Sequence, residues 1–357
     1  MRTKTIICVV GAAAACWGLT LAASAVSDRE SPEFIPQILF RRIARVPVAG
    51  TSGWSSFDEI GQRVGSPLRH GYNVFDIARQ QPVWSAAVDK HQYGGNIAVH
   101  GGRRLIAYGG ERGTVTLCDL DSGRTLWKQV AGRRIWVTDL AFAHSGKLLA
   151  ACCGAPHHTR MGGSVGVWDV ETGKRLLAVS DFVESAFCLT ISPDEDLLCV
   201  GRQYGPTIRV WSLPDGIEQP GFETDKSQWI SPGVTSLAVS PDGKWLAVGY
   251  GDCLKIWAFS TRRECLTVGD LRDETYVAWS GDGRYLLGIN QSRGVLLECR
   301  GERFHELGRN LIRGGSAPVP IPGSLRFAVP DRRGMNIFTP TFPGKEGLPI
   351  EVPDVGN

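Results

Sequence analysis

The chain has 357 residues, 43% of them apolar and 21% charged, with a formal net charge of +3. That length buries a large core, as one big β domain or two ordinary domains, and the composition reads as globular. Removing Arg2 and Lys4 with the N-terminal segment lowers the charge from +3 to +1, which excludes a global electrostatic bias toward nucleic acid or anionic membrane.

The first element is the uncharged run 6–26, IICVVGAAAACWGLTLAASAV, which follows Arg2 and Lys4 and ends near Ala23-Ser24-Ala25. This is the layout of a secretory signal. At 21 residues the run is also long enough to cross a bilayer. Two readings therefore stay open: a cleaved signal that exports the body to the periplasm or the outside, or an uncleaved anchor that holds it outside the cytoplasm. Residues 27–37, SDRESPEFIPQ, are polar with prolines and read as a linker.

From residue 38 the chain is built from one repeated unit, seen most clearly in SPDGKWLAVGYGDCLKIW at 240–257. Copies begin at HGGRRLIAYGG (100–110), AHSGKLLAACCG (143–154), SPDEDLLCVG (192–201), SGDGRYLLGI (280–289) and IPGSLRFAVP (321–330). Their turn positions align as Gly102, Gly146, Glu195, Gly243, Gly283 and Ser324, at spacings of 44, 49, 48, 40 and 41 residues. Periods near 40 suit small four-stranded sheets arranged radially. Apolar residues alternate with a period of two in SLAVS, KWLAVG and CLKIW, joined by Pro, Asp and Gly turns. No stretch beyond residue 26 keeps a 3.6-residue period, so the body is expected to be almost free of helix.

The second half of each unit ends in VFDIARQ (74–80), LCDLDSGR (117–124), VWDVETGK (167–174), VWSLPDG (210–216) or IWAF (256–259). In these residues the chain resembles the WD-repeat β-propeller family over roughly 72–338, with Trp168-Asp169 an intact WD pair and Asp252 at the family's turn aspartate. Asp169 is replaced by Ser212 and Ala258 in later copies. The resemblance implies an all-β fold, a single propeller of about seven four-stranded blades over residues 38–352, with a tail at 353–357. Closure of the ring would pair strands from the two ends, and either ILFRRIARV (38–46) or LPIEV (348–352) is expected to supply the closing strand. Trp168, Trp211 and Trp257, at strand ends, are expected in the core. LCDLDSGRTLWKQVAG (117–132) and FDIARQQPVWSA (75–86) are similar to repeats of quinoprotein-type propellers, in which a tryptophan docks neighbouring blades. That likeness implies the alternative of a propeller enzyme outside the cytoplasm.

Motifs with chemical potential are few. Gly162-Gly163-Ser164-Val165-Gly166 has the pattern of a nucleophile elbow, but the elbow needs a following helix and a strand follows here. Cys152 and Cys153, near His157 and His158, are adjacent on a strand and so point to opposite faces. His305-Glu306 lacks the second histidine of a zinc-protease helix, and Asp119, Asp121 and Gly123 read as a polar turn rather than a calcium loop. Eight cysteines follow residue 26 without metal-ligand spacing; they read as small core fillers, with one or two disulfides possible in an exported protein. The expectation is of no enzyme, no metal and no cofactor.

The resemblance further implies that loops after the second strand of each blade share a face with the connections between blades. Those segments carry Arg112, Arg133, Arg134, Arg160, Arg202, Arg293, Arg332 and Arg333, opposed by Glu111, Asp252 and Asp331. Trp136, Tyr204, Trp229 and Tyr276 lie in or near them as apolar anchors. With 30 arginines against 9 lysines in the chain, some of this enrichment is compositional. The expected function is a monomeric, non-catalytic platform that binds an acidic protein or peptide on this face, and no nucleic acid, through the planar guanidinium fork. The membrane would be touched only through the N-terminal segment.

Overall fold

The computed structural model describes residues 39–46, 55–58, 61–68, 71–87, 96–132, 136–154, 162–182, 185–202, 207–213, 215–222, 233–271, 273–290, 292–311, 319–321, 324, 326–331 and 334–341. The expected segments 6–26, 27–37, 348–352 and 353–357 lie outside these. Among the described residues every regular element is a strand except one short 3-10 turn, Glu111–Gly113.

The strands form seven four-stranded antiparallel sheets. Blade 1 comprises Ser56–Phe57, Arg63–Leu68, Gly71–Asp76 and Gln81–Ala87; blade 2, Ile97–His100, Leu105–Gly109, Thr114–Asp119 and Thr125–Val130. Blade 3 is Trp136–Phe142, Leu148–Gly154, Ser164–Asp169 and Arg175–Val179; blade 4, Ala186–Ile191, Leu197–Arg202, Ile208–Ser212 and Glu218–Phe222. Blade 5 is Ser236–Val239, Trp245–Gly249, Leu254–Ala258 and Arg263–Val268; blade 6, Tyr276–Trp279, Tyr285–Ile289, Arg293–Arg300 and Arg303–Leu311. Blade 7 takes Val319–Pro320, Phe327–Asp331 and Gly334–Thr341, and receives its outer strand, Leu39–Val46, from the other end of the chain. Of the two candidates for ring closure, 38–46 supplies the strand, antiparallel in the register Leu39↔Thr341 to Val46↔Met335.

The repeated turn explains the repeated sequence. In blade 5 the Ser240 hydroxyl donates to Asp242 Oδ1 at 2.6 Å and accepts the Trp245 N–H at 2.9 Å, while the Gly243 N–H bonds the Ser240 carbonyl. Gly243 has φ +71°, a conformation that glycine adopts without the steric cost a Cβ brings. Ser280, Asp282 and Gly283 repeat the arrangement in blade 6. Glu195 adopts φ 65° where the others have glycine, and its carboxylate accepts both the N–H and the hydroxyl of Ser145 in the preceding blade. In blade 2 the strand register puts Arg103, not Gly102, opposite Gly243, and Arg104 carries the positive φ of 54°.

Blade 1 is a full unit that the sequence pattern shows only in its second half. Asp58 stands in for the serine, accepting the N–H groups of Gln62 and Arg63, and Gly61 has φ +68°. A register shift interrupts the third-to-fourth strand pairing in all seven sheets, a bulge that adds local twist.

The core is distributed over the joints between blades. Each of seven apolar clusters joins two consecutive sheets: Trp84 and Val99 between blades 1 and 2, Leu117 and Leu149 between 2 and 3, Val167 and Leu198 between 3 and 4. Val210 and Leu246, then Ile256 and Leu286, then Leu287 and Phe327 continue the series. Phe57 and Val64 of blade 1 meet Met335 and Ile337 of blade 7, so the ring is closed. Alternation along each strand feeds the two joints of a blade in turn, which is why Cys153 enters the joint with blade 2 and Cys152 the joint with blade 4. All eight cysteines from Cys118 to Cys299 are free thiols, six of them buried, so they act as small packing groups.

Two devices fasten neighbours beyond apolar packing. Trp84 and Trp127, on outer strands, lie against Gly123 and Gly173 in the third-to-fourth turns of the next blade, the docking implied by the quinoprotein likeness. In the following blade Leu177 takes the same place over Gly216. Trp168, Trp211 and Trp257 are buried as expected, and the indole N–H groups of Trp168 and Trp257 have no partner among the described residues.

Candidate partner-binding face

The connections between sheets lie over the turns that follow second strands, held by main-chain bonds. The Ala131 N–H donates to the Gly113 carbonyl, Val234 N–H to Arg202, Leu271 N–H to Asp252 and Thr275 N–H to Tyr250. One face of the ring therefore gathers both kinds of loop, as the sequence led one to expect. Beneath it, inner strands are laced across blades: Asn96 Nδ2 donates to the Thr138 carbonyl, Thr138 Oγ1 to Ala186 O at 2.6 Å, and Thr235 Oγ1 to Thr275 O at 2.7 Å.

Of the twelve candidate residues, Arg133, Arg134, Arg160, Tyr204, Trp229, Arg332 and Arg333 lie outside the described residues. Arg112 is exposed in the turn after the second strand of blade 2, at φ 59°. Arg202 ends the second strand of blade 4, half-buried, with Nε lacking a partner among the described residues. Trp136 begins the inner strand of blade 3 and is half-buried. Arg293 is at the rim but is engaged: its Nη1 donates to the Asp270 carbonyl at 2.6 Å and to the Asp270 carboxylate. Asp270 thus joins the acidic residues of this face, an opposition the loop sequences alone did not reveal. Tyr276 is buried at 4% exposure, its hydroxyl donating to Glu274 at 3.0 Å, so it is not an anchor for a partner.

Several other arginines fasten blades or their connections. Arg209 Nε and Nη2 donate to Glu218 at 2.7 Å, and its Nη1 to Asp181 at 2.8 Å, with the guanidinium 4.7 Å from the Phe182 ring centre and 4.8 Å from that of Trp211. The Arg209 bond is the main reason the Asp181 carboxyl sits below its ordinary range. Arg309 pairs with Glu306 and reaches the Gly269 carbonyl of blade 5. Arg103 reaches the Gly146 carbonyl of blade 3 on the opposite face.

Asp139, half-buried, is the one carboxylate on the seven inner strands. It sits at a register shift and accepts the N–H groups of Leu140 and, across the joint, Leu189, both at 2.9 Å. Desolvation pushes its carboxyl up to about 7, opposed by those two bonds. Asp119 and Asp169 are spent on their own turns, each accepting an N–H and a hydroxyl, from Ser122 and Thr172 respectively; these bonds lower both carboxyls. Asp121 pairs with Arg104, which gives the Asp119 to Gly123 segment the polar-turn role. Ser164 begins a strand, not a helix, so the elbow geometry is absent. No group of three or more His, Cys, Asp or Glu among the described residues is placed to hold a metal. No helix among them is long and apolar enough to cross a membrane.

A family profile described as WD domain, G-beta repeat matches residues 227–258. Over 96 residues the chain is 36% identical to WD repeat and SOCS box-containing protein 1 of Mus musculus, covering 27% of this chain and 22% of that protein. It is 29% identical to Protein groucho of Drosophila melanogaster over 151 residues, 42% of this chain and 18% of that protein. The chain spans about a fifth of the length of these curated relatives. A chain of the structure described as Crystal Structure of Mitotic Checkpoint Complex superposes with a TM-score of 0.68 at 14% identity, over 91% of this chain and 98% of the other. With seven four-stranded sheets in a closed ring and a turn chemistry repeated from blade to blade, the chain folds as a seven-bladed β-propeller that carries a WD-repeat match at residues 227–258.

Proposed function

We propose that this propeller is a non-catalytic platform, monomeric and carried outside the cytoplasm by residues 6–26, that binds an acidic protein or peptide on its loop face. Kinship with WD-repeat proteins supports a scaffold role, by analogy of fold rather than of site. One observation carries the choice of face. Of the described candidate arginines there, Arg112 and Arg202 enter no ion pair among the described residues, whereas Arg293 is held by Asp270. Guanidinium groups without an acidic partner suit carboxylates.

The test is affinity capture of the tagged chain in its own cell, with wild type compared against Arg112→Glu/Arg202→Glu, and mass spectrometry reading both partners and the mature N-terminus. The double variant is expected to lose at least tenfold of a specific partner and to remain folded. Equal recovery would refute the face, and a protein retained in the cytoplasm with residues 6–26 intact would refute export and anchoring alike.

A further inference from the structure

Between blades 2 and 3, at the outer edge of the loop face, lies a groove of about 460 Å³. Its walls are Val130 and Gly132 at the end of one blade and Gly163, Ser164, Arg175 and Ala178 of the next. The volume falls in the range of small-ligand sites, and the glycines leave main chain as its surface.

Arg175 is the charge of this groove. Its Nε donates to the Leu177 carbonyl, and Nη1 and Nη2 to the carbonyls of Val130 and Ala131, each at 3.2 Å. A guanidinium has five N–H donors, so two remain after these three bonds. Unlike Arg209, Arg293 and Arg309, it has no carboxylate partner among the described residues; desolvation lowers its pKa and only the Cys153 thiol acts against that. Arg175 is exposed, its guanidinium lies 5.5 Å from the Trp168 ring centre, and its two spare N–H donors carry no carboxylate among the described residues, so they are open to an anion brought to the groove. Ser164 adds a second unmet group: at 4% exposure its Oγ has no oxygen or nitrogen partner among the described residues, with only the Cys153 thiol beside it.

We propose that the groove between blades 2 and 3 takes an extended peptide of a protein partner, with an acidic side chain paired to Arg175. The proposal rests on the platform reading above and assigns it a second contact, next to the Arg112 turn, whose Gly113 carbonyl accepts the Ala131 N–H, and separate from Arg202. The extended form follows from the groove's volume: about 460 Å³ holds a few extended residues rather than two turns of a helix about 10 Å across.

The purified full chain is incubated with an array of hexapeptides bearing one central Glu in varied contexts, and with a matched array bearing Gln. Wild type is expected to retain Glu members at least tenfold better. Arg175→Gln should remove the groove's share of that preference, as should Ala178→Trp, which fills the slot without removing the charge. Arg112→Glu/Arg202→Glu should lower the preference by the loop-face share and leave a remainder that Arg175→Gln or Ala178→Trp, added to that background, removes. Absence of a Glu preference in wild type, or its survival undiminished in folded Ala178→Trp, would overturn the groove. Loss only in Arg112→Glu/Arg202→Glu would also overturn it, while leaving the loop-face reading in place.

Discussion

The indole N–H of Trp127 donates to the carbonyl of Val170 at 2.9 Å, from the outer strand of blade 2 to the third-to-fourth turn of blade 3. The same ring lies 3.1 Å from where a Cβ on Gly173 would stand, and Gly173 has φ +68°. Trp127→Phe keeps most of the packing and loses the bond, so it is expected to lower unfolding free energy by about 1 kcal/mol. Gly173→Ala meets both backbone strain and the ring and should cost about 1–2 kcal/mol. Denaturant midpoints at constant slope check both, and the double variant should fall short of the sum because the two positions touch.

Arg209 joins blade 4 to the Asp181 connection through two carboxylates and two aromatic faces. Arg209→Gln is expected to lose about 1–2 kcal/mol near neutral pH, chiefly stacking, because its partners are largely exposed. The Asp181 carboxyl is lowered in the fold, so its contribution is present above its unfolded value near 4 and lost as pH falls through the lower folded value. The gap between wild type and variant should therefore narrow below about pH 4. A gap that widens in acid would contradict the pairing.

Asp139 runs in the opposite sense. Its folded carboxyl is raised to about 7, so its contribution is complete below the unfolded value and disappears as pH rises to 7. Asp139→Asn removes the titration, with a constant offset for whichever N–H, Leu140 or Leu189, loses its acceptor. Melting temperatures between pH 5 and 8 should fall more steeply for wild type than for the variant. Parallel curves would rule out the raised carboxyl.

The closing strand makes the ring one cooperative unit. A chain that starts at residue 47 lacks the partner of Gly334–Thr341 and leaves that edge open. It is expected to aggregate on a sizing column or to melt at a much lower temperature. A sharp melt of a monomer at the wild-type temperature would show that closure contributes little.

The repeat was readable because its turn has a strict backbone demand: Gly146, Gly243 and Gly283 all need positive φ, and the serine and aspartate beside two of them cap the same turn. Blade 1 escaped because Asp58 does the serine's work and its inner strand is two residues long. Gly102 was misaligned by one since either glycine of the pair fits a turn, and only pairing with the next strand fixes the register. The face was legible from loop order. The state of its arginines was not, because Arg293 finds Asp270 at 23 residues' distance and Arg209 finds Asp181 at 28. Arg175, just after a Gly-Lys turn, looks like any solvated charge until the neighbouring blade's carbonyls are placed beside it.

Strand direction in blade 7 has a practical corollary. Leu39 is level with Thr341, at the end of the sheet away from the Asp331 to Gly334 turn, so the closing strand begins on the side remote from the loops. A fluorescent carrier joined to that strand at Leu39 itself would therefore sit across the ring from the arginine rim, whereas one grafted into the loops would mask it.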